Sequence, residues 1–352
     1  MHNNLINIYK KQINRKRKII LSLVIISILL AILSISVGSS MMSFIDVIKA
    51  IFRIGDNNNI LIVYNIRLPR VIAAIIAGGG LAISGCVMQN VLKNDMASPS
   101  TLGVGNASVF GANVAIILLG AGSMANSNGF IDINNPYIVS TFSFLFAIIC
   151  LFIILFLAKI KKFKSTSIIL AGVALSTIFS AGTTLLQFFS VDNQLSSAIY
   201  WTFGNLGRAT YKECLIMFII ITLSFIYFLF KRWDFNALSN GQDLASSLGV
   251  KVNKVTLISL LLSSLITAVC VSFLGVIGFV GLIAPQIMKK IIGDDFRFLI
   301  PSSFLFGVCL LLLSDTIGRV ILLGTALPVG AITSLLGGPM FIYLLLRKKD
   351  DE

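Results

Sequence analysis

Charged side chains are scarce in this sequence of 352 residues: Asp, Glu, Lys and Arg make up 12% of it, while hydrophobic residues make up 57%. A soluble fold needs polar residues over the surface that water wets, and this chain has too few to cover one. The mean hydropathy is +0.95. The composition therefore excludes a soluble globular protein and predicts an all-α, polytopic membrane protein.

Residues that usually carry catalysis are also rare. The one histidine is His2, and the sequence contains neither a GxxxxGK[ST] phosphate loop nor an HExxH zinc motif. The cysteines are scattered without a CxxC pair, a pattern typical of small buried hydrophobes rather than of metal or redox sites: Cys86, Cys150, Cys214, Cys270 and Cys309. We expect no catalytic residue, no metal and no cofactor, so the energy for any transport must come from elsewhere.

Acidic residues at membrane depth, which ion-coupled carriers need, are nearly absent. Of the 14 acidic residues, only Asp315 lies clearly within a predicted span, and Glu213 lies at the edge of another. Arg319 follows Asp315 at i+4, so an internal ion pair and a docking or transport role are both open for Asp315. We favour a transporter driven by a partner ATPase; the alternative is an ion-coupled secondary transporter, and a third interpretation is a passive channel or membrane scaffold.

Ten apolar runs approach the roughly 17 to 25 residues that cross a bilayer. They lie near residues 19–41, 70–92, 98–120, 137–158, 165–190, 213–230, 255–276, 279–292, 298–322 and 328–346. The eighth run is short, and its glycines and Pro285 predict a broken or partly re-entrant helix. The predicted organisation is a basic tail at 1–18, a transmembrane domain at 19–346 and a second tail at 347–352.

Basic residues divide unevenly between the two sides of this predicted domain. With the N-terminus inside, 21 of the 28 basic residues fall in cytoplasmic segments. The other seven fall outside: Lys49, Arg53, Arg67, Arg70, Arg208, Lys212 and Arg319. This excess predicts that both termini are cytoplasmic. Because these basic residues flank the membrane, we attribute the net charge of +14 to contact with membrane lipid. We expect no nucleic-acid partner.

Glycine and proline interrupt the apolar run from 257 to 346 repeatedly, which a simple membrane anchor does not require. Such breaks are typical of a protein that moves or passes a substrate. In the second predicted span, small residues recur at every fourth position: Ala74, Gly78, Ala82 and Cys86. This stripe predicts the close approach of a neighbouring helix.

One cytoplasmic loop, residues 231–254, has the signals of two short helices. Asn240-Gly241 predicts a turn, Asp243 is expected to cap the second helix, and Gly249 is expected to end it. A stiff helix pair would suit the docking of an ATPase. From the loop alone, an ordinary connector remains an equal alternative.

On the outer side, the residues Arg67-Leu68-Pro69-Arg70 are predicted to open the second span, because Pro69 suits a first helical turn. The positive end of a helix dipole repels arginine, so a negative partner is expected there. Lipid phosphate and an acidic docking protein are both open as that partner.

Longer motifs combine glycine with polar residues in a fixed order. They are RLPR, LAISGCVMQNVLKND, ASPSTLGVGNASVFGA, LAGVALS, YWTFGNLG, ASSLGV, GVIGFVGLIAPQIMKKIIGDDFRFLIP, SDTIGR and LPVGAITSLLGGPMFIYLL. In these motifs the chain resembles the FecCD-type permeases of ABC importers for iron-siderophores, haem and cobalamin, over nearly its whole length from Arg67. Two positions depart from the family's usual pattern: 94–95 is Asn-Asp rather than Asn-Pro, and 285–286 is Pro-Gln rather than Pro-His.

This resemblance implies a type II ABC importer permease that translocates a metal chelate. The expected partners are two ABC ATPase subunits, an extracytoplasmic solute-binding protein, and a second permease copy or a paralogous permease. The resemblance carries binding-protein docking onto Arg67, Arg70 and Arg319. It carries ATPase coupling onto the loop at about 235–250, at Asn236, Leu238, Gly241, Asp243, Ala245, Ser246, Leu248 and Gly249.

Overall fold

A computed structural model gives the fold of most of the chain. It describes residues 2–38, 42–121, 124–125, 131–132, 135–161, 164–321 and 327–348. Helices make up 83% of the structure, which confirms the predicted all-α class. Of the two predicted tails, Met1 and residues 349–352 lie outside the described residues.

The described residues contain fifteen α-helices. In chain order they are α1 (His2–Ser36), α2 (Phe44–Ile51), α3 (Asn57–Ile62), α4 (Leu68–Val91), α5 (Val104–Asn113), α6 (Pro136–Ile160), α7 (Ser165–Phe188), α8 (Asp192–Thr202), α9 (Tyr211–Phe230), α10 (Arg232–Ser239), α11 (Gln242–Ser247), α12 (Val252–Leu274), α13 (Val280–Ile292), α14 (Phe296–Val320) and α15 (Val329–Lys348). Two strands of two residues each, β1 (Met124–Ala125) and β2 (Ile131–Asp132), pair antiparallel. The helices α2, α3 and α8 and this small ribbon were not predicted from the sequence.

Ten helices occupy the ten predicted spans in order. Seven of those described are long and apolar enough to cross a membrane: α1, α4 with its extension, α6, α7, α9, α12 and α14. Of the other three, α5 has 10 residues, α13 has 13 and α15 has 20. Helix α13 is short, as predicted, but it runs unbroken through Pro285. The predicted start of the third span at 98 is wrong. Residues 98–103 form turns, Gly103 adopts φ +86°, and α5 begins at Val104.

The second span also begins differently from the prediction. Helix α3 continues through a π-helical segment, Val63–Arg67, into α4. Pro69 has no N–H to donate to the carbonyl one turn earlier in the helix. Immediately before it, the Leu68 N–H bonds to the Val63 carbonyl, which is the i→i−5 hydrogen bond of a π-helix. Arg67 therefore does not lie at a free helix N-terminus, and the expected conflict with the helix dipole does not arise.

Helix α4 is the centre of the fold, and 89% of its most apolar stretch is buried. It packs against α9, α12, α13 and α14. A Cβ atom added at Gly78 would lie 2.6 Å from the carbonyl oxygen of Gly307 on α14, and one at Gly85 would overlap the carbonyl of Gly281 on α13. All four residues of the small-residue stripe are buried, which confirms it as a helix-packing surface.

Candidate functional sites at the two ends of the bundle

The loop after α9 folds as the predicted pair of short helices, α10 and α11. Helix α11 ends in a Schellman motif. Gly249, with φ +84°, donates its N–H to the Ser246 carbonyl at 3.0 Å, and the Val250 N–H bonds to the Ala245 carbonyl at 3.0 Å. The helix therefore stops where the sequence predicted, and the chain turns into α12.

Asn240 and Gly241 form the turn between the two helices, and Gly241 has φ +129°, a conformation that favours glycine. The predicted cap by Asp243 is wrong, because Gly241 occupies the capping position and makes no side-chain bond. Asp243 instead lies in the first turn of α11, where the helix dipole favours a negative charge.

Two consecutive residues of α10 fasten this loop to the membrane helices. The Asn90 side chain, at the end of α4, donates to the Phe235 carbonyl at 3.0 Å. The Asn236 side chain accepts the Phe296 N–H at 2.8 Å and donates to Asp295 Oδ1 at 3.2 Å, both at the start of α14. The loop is therefore attached to α4 and α14 through separate hydrogen bonds.

The residues predicted to couple to an ATPase divide into two groups. Leu238 and Ala245 are buried against the bundle and support the loop from within. Ser246 and Leu248 are exposed, and Leu248 reaches 67% exposure. Leu244, which sequence reasoning missed, is 49% exposed one turn before Leu248, so the two leucines form an apolar ridge on the outer side of α11. Their i, i+4 spacing was the signal that could have found it.

Asp295, which caps the N-terminus of α14, is held in its charged form. Burial raises the pKa of the Asp295 carboxyl, but hydrogen bonds from Arg297 and Asn236 outweigh burial and place the pKa below its usual range. The Arg297 guanidinium also lies 5.0 Å from the centre of the Trp233 ring on α10. The junction of α10 with α14 therefore keeps its charge state throughout the neutral pH range.

A cavity of about 710 Å³ opens behind the loop, between the ends of α4, α10 and α13. Its lining mixes apolar and polar side chains and includes Asn240, Lys93 and Lys289. Burial and the nearby Lys289 charge lower the pKa of Lys93. The loop thus lies over a cavity that several lysine side chains line at this end of the bundle.

The two positions that depart from the family's usual pattern meet beside this cavity. The Gln286 side chain donates a hydrogen bond to the Asp95 carbonyl, and the Asp95 carboxylate lies 3.8 Å from Lys289 Nζ. Sequence spacing gave no sign of this pairing, because 191 residues separate the two positions.

Three predicted site residues, Arg67, Arg70 and Arg319, lie at the opposite end of the bundle, and two of them bond the same carboxylate. Asp315 on α14 is 1% exposed and bonds Arg70 on α4, with 2.9 Å between Nε and Oδ1. Arg319 contacts the same carboxylate, with 3.1 Å between Nε and Oδ2, so the internal ion pair expected at i+4 is present. The sequence did not indicate Arg70 as the second partner.

Arg67 and Arg319 also hold the end of α1. Arg67 donates from Nη1 to two carbonyls of α1, at 2.6 and 2.8 Å, and Arg319 donates to two others, at 2.6 and 2.9 Å. The four acceptors are Ser34, Ile35, Ser36 and Val37. These cations satisfy carbonyls that a helix C-terminus leaves without partners. All three arginines are consequently engaged within the chain, and the side chains of Arg70 and Arg319 are only 11% and 9% exposed.

Within the described residues, Glu213 is the other buried carboxylate. It accepts the Thr210 N–H at 2.8 Å in a capping box at the start of α9. Both buried carboxylates therefore have structural partners, and the described residues contain no group of three or more His, Cys, Asp or Glu that could hold a metal ion. The five cysteines are buried and unpaired, as expected of small hydrophobes.

Comparison with known proteins gives a consistent result. The sequence model of the FecCD transport family matches residues 24–347. A Methanocaldococcus jannaschii protein assigned provisionally to the ABC transporter permeases is 48% identical over 96% of this chain and 97% of its own length. The hemin transport system permease of Yersinia pestis is 32% identical over 94% of this chain and 96% of its own length. The Fe(3+)-citrate import system permease of Bacillus subtilis is 32% identical over 95% and 98%.

A solved structure agrees with these relatives. It is an inward-facing conformation of an ABC transporter assigned provisionally to the metal-chelate type, with a TM-score of 0.79 at 28% identity, and the match covers 94% of this chain and 99% of that one. In such transporters ATP hydrolysis belongs to a separate ATPase subunit, which agrees with the expected lack of a nucleotide site in this sequence. The chain belongs to the FecCD transport family and is a multi-pass membrane permease subunit of an ABC importer.

Proposed function

We propose that this permease moves a metal chelate of the iron-siderophore, haem or cobalamin type from a solute-binding protein into the cytoplasm, powered by two ABC ATPase subunits. It does so in the cell membrane with both termini in the cytoplasm. The names of its relatives, which include hemin, Fe(3+)-citrate and vitamin B12 permeases, support this substrate class.

The observation that carries the proposal is the exposed helix pair α10–α11, fastened to α4 and α14 and carrying the Leu244–Leu248 ridge. A surface that receives force must be stiff and must offer apolar area to its partner. The Schellman end, the glycine turn and the two asparagine attachments supply stiffness, and the ridge supplies the contact. The ATPase is proposed to bind this ridge.

The state of the buried acids favours ATP over an ion gradient as the energy source. A carrier must bind and release an ion at membrane depth, usually on a carboxylate. Asp315 forms ion pairs with two arginines, and Glu213 accepts hydrogen bonds in the capping box of α9. Neither is available to take up and release a proton or a sodium ion without breaking the structure around it.

The solute-binding protein is proposed to dock at the opposite end, near the cluster of Arg67, Arg70 and Arg319. Arg70 and Arg319 share the single carboxylate of Asp315, and Arg67 bonds carbonyls at the end of α1, so positive charge is in excess and would attract an acidic partner. Because these side chains are largely buried, the attraction acts mainly on the approach of the partner, and direct pairing requires the cluster to open.

A second permease subunit, either a copy or a paralogue, is proposed to face α7 across the translocation pathway. Only 17% of the most apolar stretch of α7 is buried, so most of this helix is uncovered by its own chain. One uncovered face carries small and hydroxyl side chains at helical spacing: Ala174, Thr177, Ala181 and Thr184. Such a face suits a polar pathway or a close helix contact better than lipid.

The test is uptake by the complete transporter reconstituted in proteoliposomes with its ATPase and binding protein. We expect uptake of a ferric siderophore, haem or cobalamin that requires ATP inside the vesicle and the binding protein outside. A protonophore should leave uptake unchanged. Uptake that continues without ATP and collapses with the protonophore would establish the ion-coupled alternative.

The proposed pathway has its own test within the same assay. Ala181→Trp on the uncovered small-residue face should block uptake, because the indole fills the space between the subunits. The control is Ile178→Trp, which places the same ring on a bulky, exposed apolar position of α7 that points away from this face. Equal uptake by both variants would remove α7 from the pathway.

A further inference from the structure

Helices α4 and α14 are attached to each other at three levels. At the outer end, Arg70 Nη2 lies 2.8 Å from Asp315 Oδ1. In the middle, Gly78 and Gly307 bring the two backbones together so closely that a methyl group at either position would meet the opposing carbonyl. Near the inner end, both helices bind α10, as described above. Helical backbones in direct contact cannot slide past one another without separating.

The attachment to α10 uses two neighbouring residues, one for each helix. Phe235 offers its carbonyl to Asn90 of α4, and Asn236 offers its side chain to Phe296 and Asp295 of α14. The Phe235 ring is fully buried, and its centre lies 5.7 Å from that of Phe296. A displacement of α10 therefore moves both helices together.

We propose that α4 and α14 form one transmission rod, and that Asn236 and Asn90 are the positioning residues that fasten the coupling loop to it. The rod joins the ATPase side to the outer arginine cluster, a distance of roughly 28 Å along α14 at 1.5 Å per residue. A binding protein at one end and an ATPase at the other then act on the same rigid body. This inference rests on the proposed function, because it requires partners at both ends.

The experiment measures how far the loaded binding protein stimulates ATP hydrolysis by the complete transporter in proteoliposomes. Asn236→Ala removes the attachment to α14, and Asn90→Ala removes the attachment to α4. The control is Asn253→Ala, since Asn253 is exposed in the first turn of α12 and lies outside the coupling loop helices. Co-purification of the ATPase and the thermal midpoint of each complex show whether a variant is assembled.

We expect the ratio of stimulated to basal rate to fall about tenfold in Asn236→Ala and Asn90→Ala, and to change less than about twofold in the control. Ratios equal to that of the control in both assembled variants would overturn the proposal. If one variant does not assemble, the other decides. A wild-type complex without stimulation would instead count against the proposed function, so the two failures are distinguishable.

A double-mutant cycle tests the connection between the two ends. Arg70→Lys keeps the charge but loses the two-point bond to Asp315. Changes so far apart normally have independent effects, so their losses of stimulation should multiply. If α4 and α14 act as a single rod, the double variant Arg70→Lys with Asn236→Ala should lose no more stimulation of ATP hydrolysis than the single variant with the larger loss. Multiplicative losses would show that the ends act through separate bodies.

Discussion

Arg70 and Asp315 are 245 residues apart in sequence, yet the Arg70 guanidinium bonds both oxygens of the Asp315 carboxylate, at 2.9 and 3.1 Å from Nε. The pair ties the centre of the bundle to α14, and Arg319 extends it to the end of α1. A buried charge that loses its partner is costly, because it has already given up its hydration. The stability of this end of the protein therefore depends on one carboxylate.

Removing that carboxylate should destabilise the protein. We expect Asp315→Asn to lower the free energy of unfolding by about 3 to 5 kcal/mol, since it leaves two buried guanidinium groups without their counter-ion. The measurement is thermal or denaturant unfolding of the purified permease in detergent. The control is Asp234→Asn, which breaks the half-exposed pair with Lys231 and should cost less than about 1 kcal/mol. Equal losses in the two variants would contradict the assigned role of Asp315.

Substitutions at Arg319 distinguish its role in stabilising the fold from its role in attracting a binding protein. Arg319→Lys keeps the positive charge but cannot reach several acceptors at once, so stability should fall while the association rate of the binding protein stays near that of the wild type. Arg319→Gln should lower both. The measurements are thermal unfolding and the association rate at low and high salt. An unchanged association rate in the glutamine variant would leave Arg319 with the structural role alone.

The apolar ridge of α11 should be required for ATPase binding. We expect Leu244→Glu with Leu248→Glu to abolish co-purification of the ATPase, because two charges would be buried at the contact without partners. Gln242→Glu, exposed on the same helix, is the matched control and should leave the complex intact. Normal assembly of the double variant would place the contact elsewhere, most directly at the turn between α13 and α14.

Stiffness of α11 can be tested at Ala245. This residue is buried and donates its N–H to the Gly241 carbonyl at 3.0 Å, a bond that proline cannot make. Ala245→Pro should cost roughly 3 kcal/mol locally and abolish stimulation of ATP hydrolysis by the loaded binding protein. Membrane insertion, followed by yield in the membrane fraction, should be unaffected. Full stimulation in this variant would show that α11 is not the lever.

The contact between α4 and α13 should not tolerate a methyl group. Gly85→Ala would place its Cβ against the Gly281 carbonyl, so the two helices would have to separate, and we expect a loss of several kcal/mol in stability. The control is Gly105→Ala in α5, where no atom lies within 4 Å of the added carbon. That change should be neutral or slightly stabilising. Similar thermal midpoints for the two variants would contradict this packing.

The proposed orientation predicts which surface positions an impermeant thiol reagent reaches in intact cells. The five native cysteines are buried, so single added cysteines give a clean signal. Asp192→Cys should be labelled from outside, and Asp243→Cys only after the membrane is opened. Other positions expected to report on topology, Asn128 outside and Lys162 inside, lie outside the described residues. External labelling at Asp243 would invert the orientation.

Local patterns in the sequence determined much of this protein. Hydropathy placed ten helices, because crossing a bilayer imposes a length and an apolar composition on each segment separately. Glycine at 241 and 249 fixed the turn and the end of α11, since few other residues adopt their backbone angles. The order of long motifs indicated the family, which the comparisons confirm.

Only the tertiary structure determined which residues from distant segments of the chain contact each other. Sequence reasoning singled out Arg70, Asp315 and Arg319 separately, and i+4 spacing revealed only the pair on one helix. Likewise, the loop residues were predicted as one coupling set, but Leu238 lies inside and Leu248 outside, because packing against α4 and α14 fixes which side of α10–α11 faces the bundle. Hydropathy and turn signals act over a few residues, whereas the pairing of Arg70 with Asp315 exists only because close glycine contacts bring α4 and α14 together.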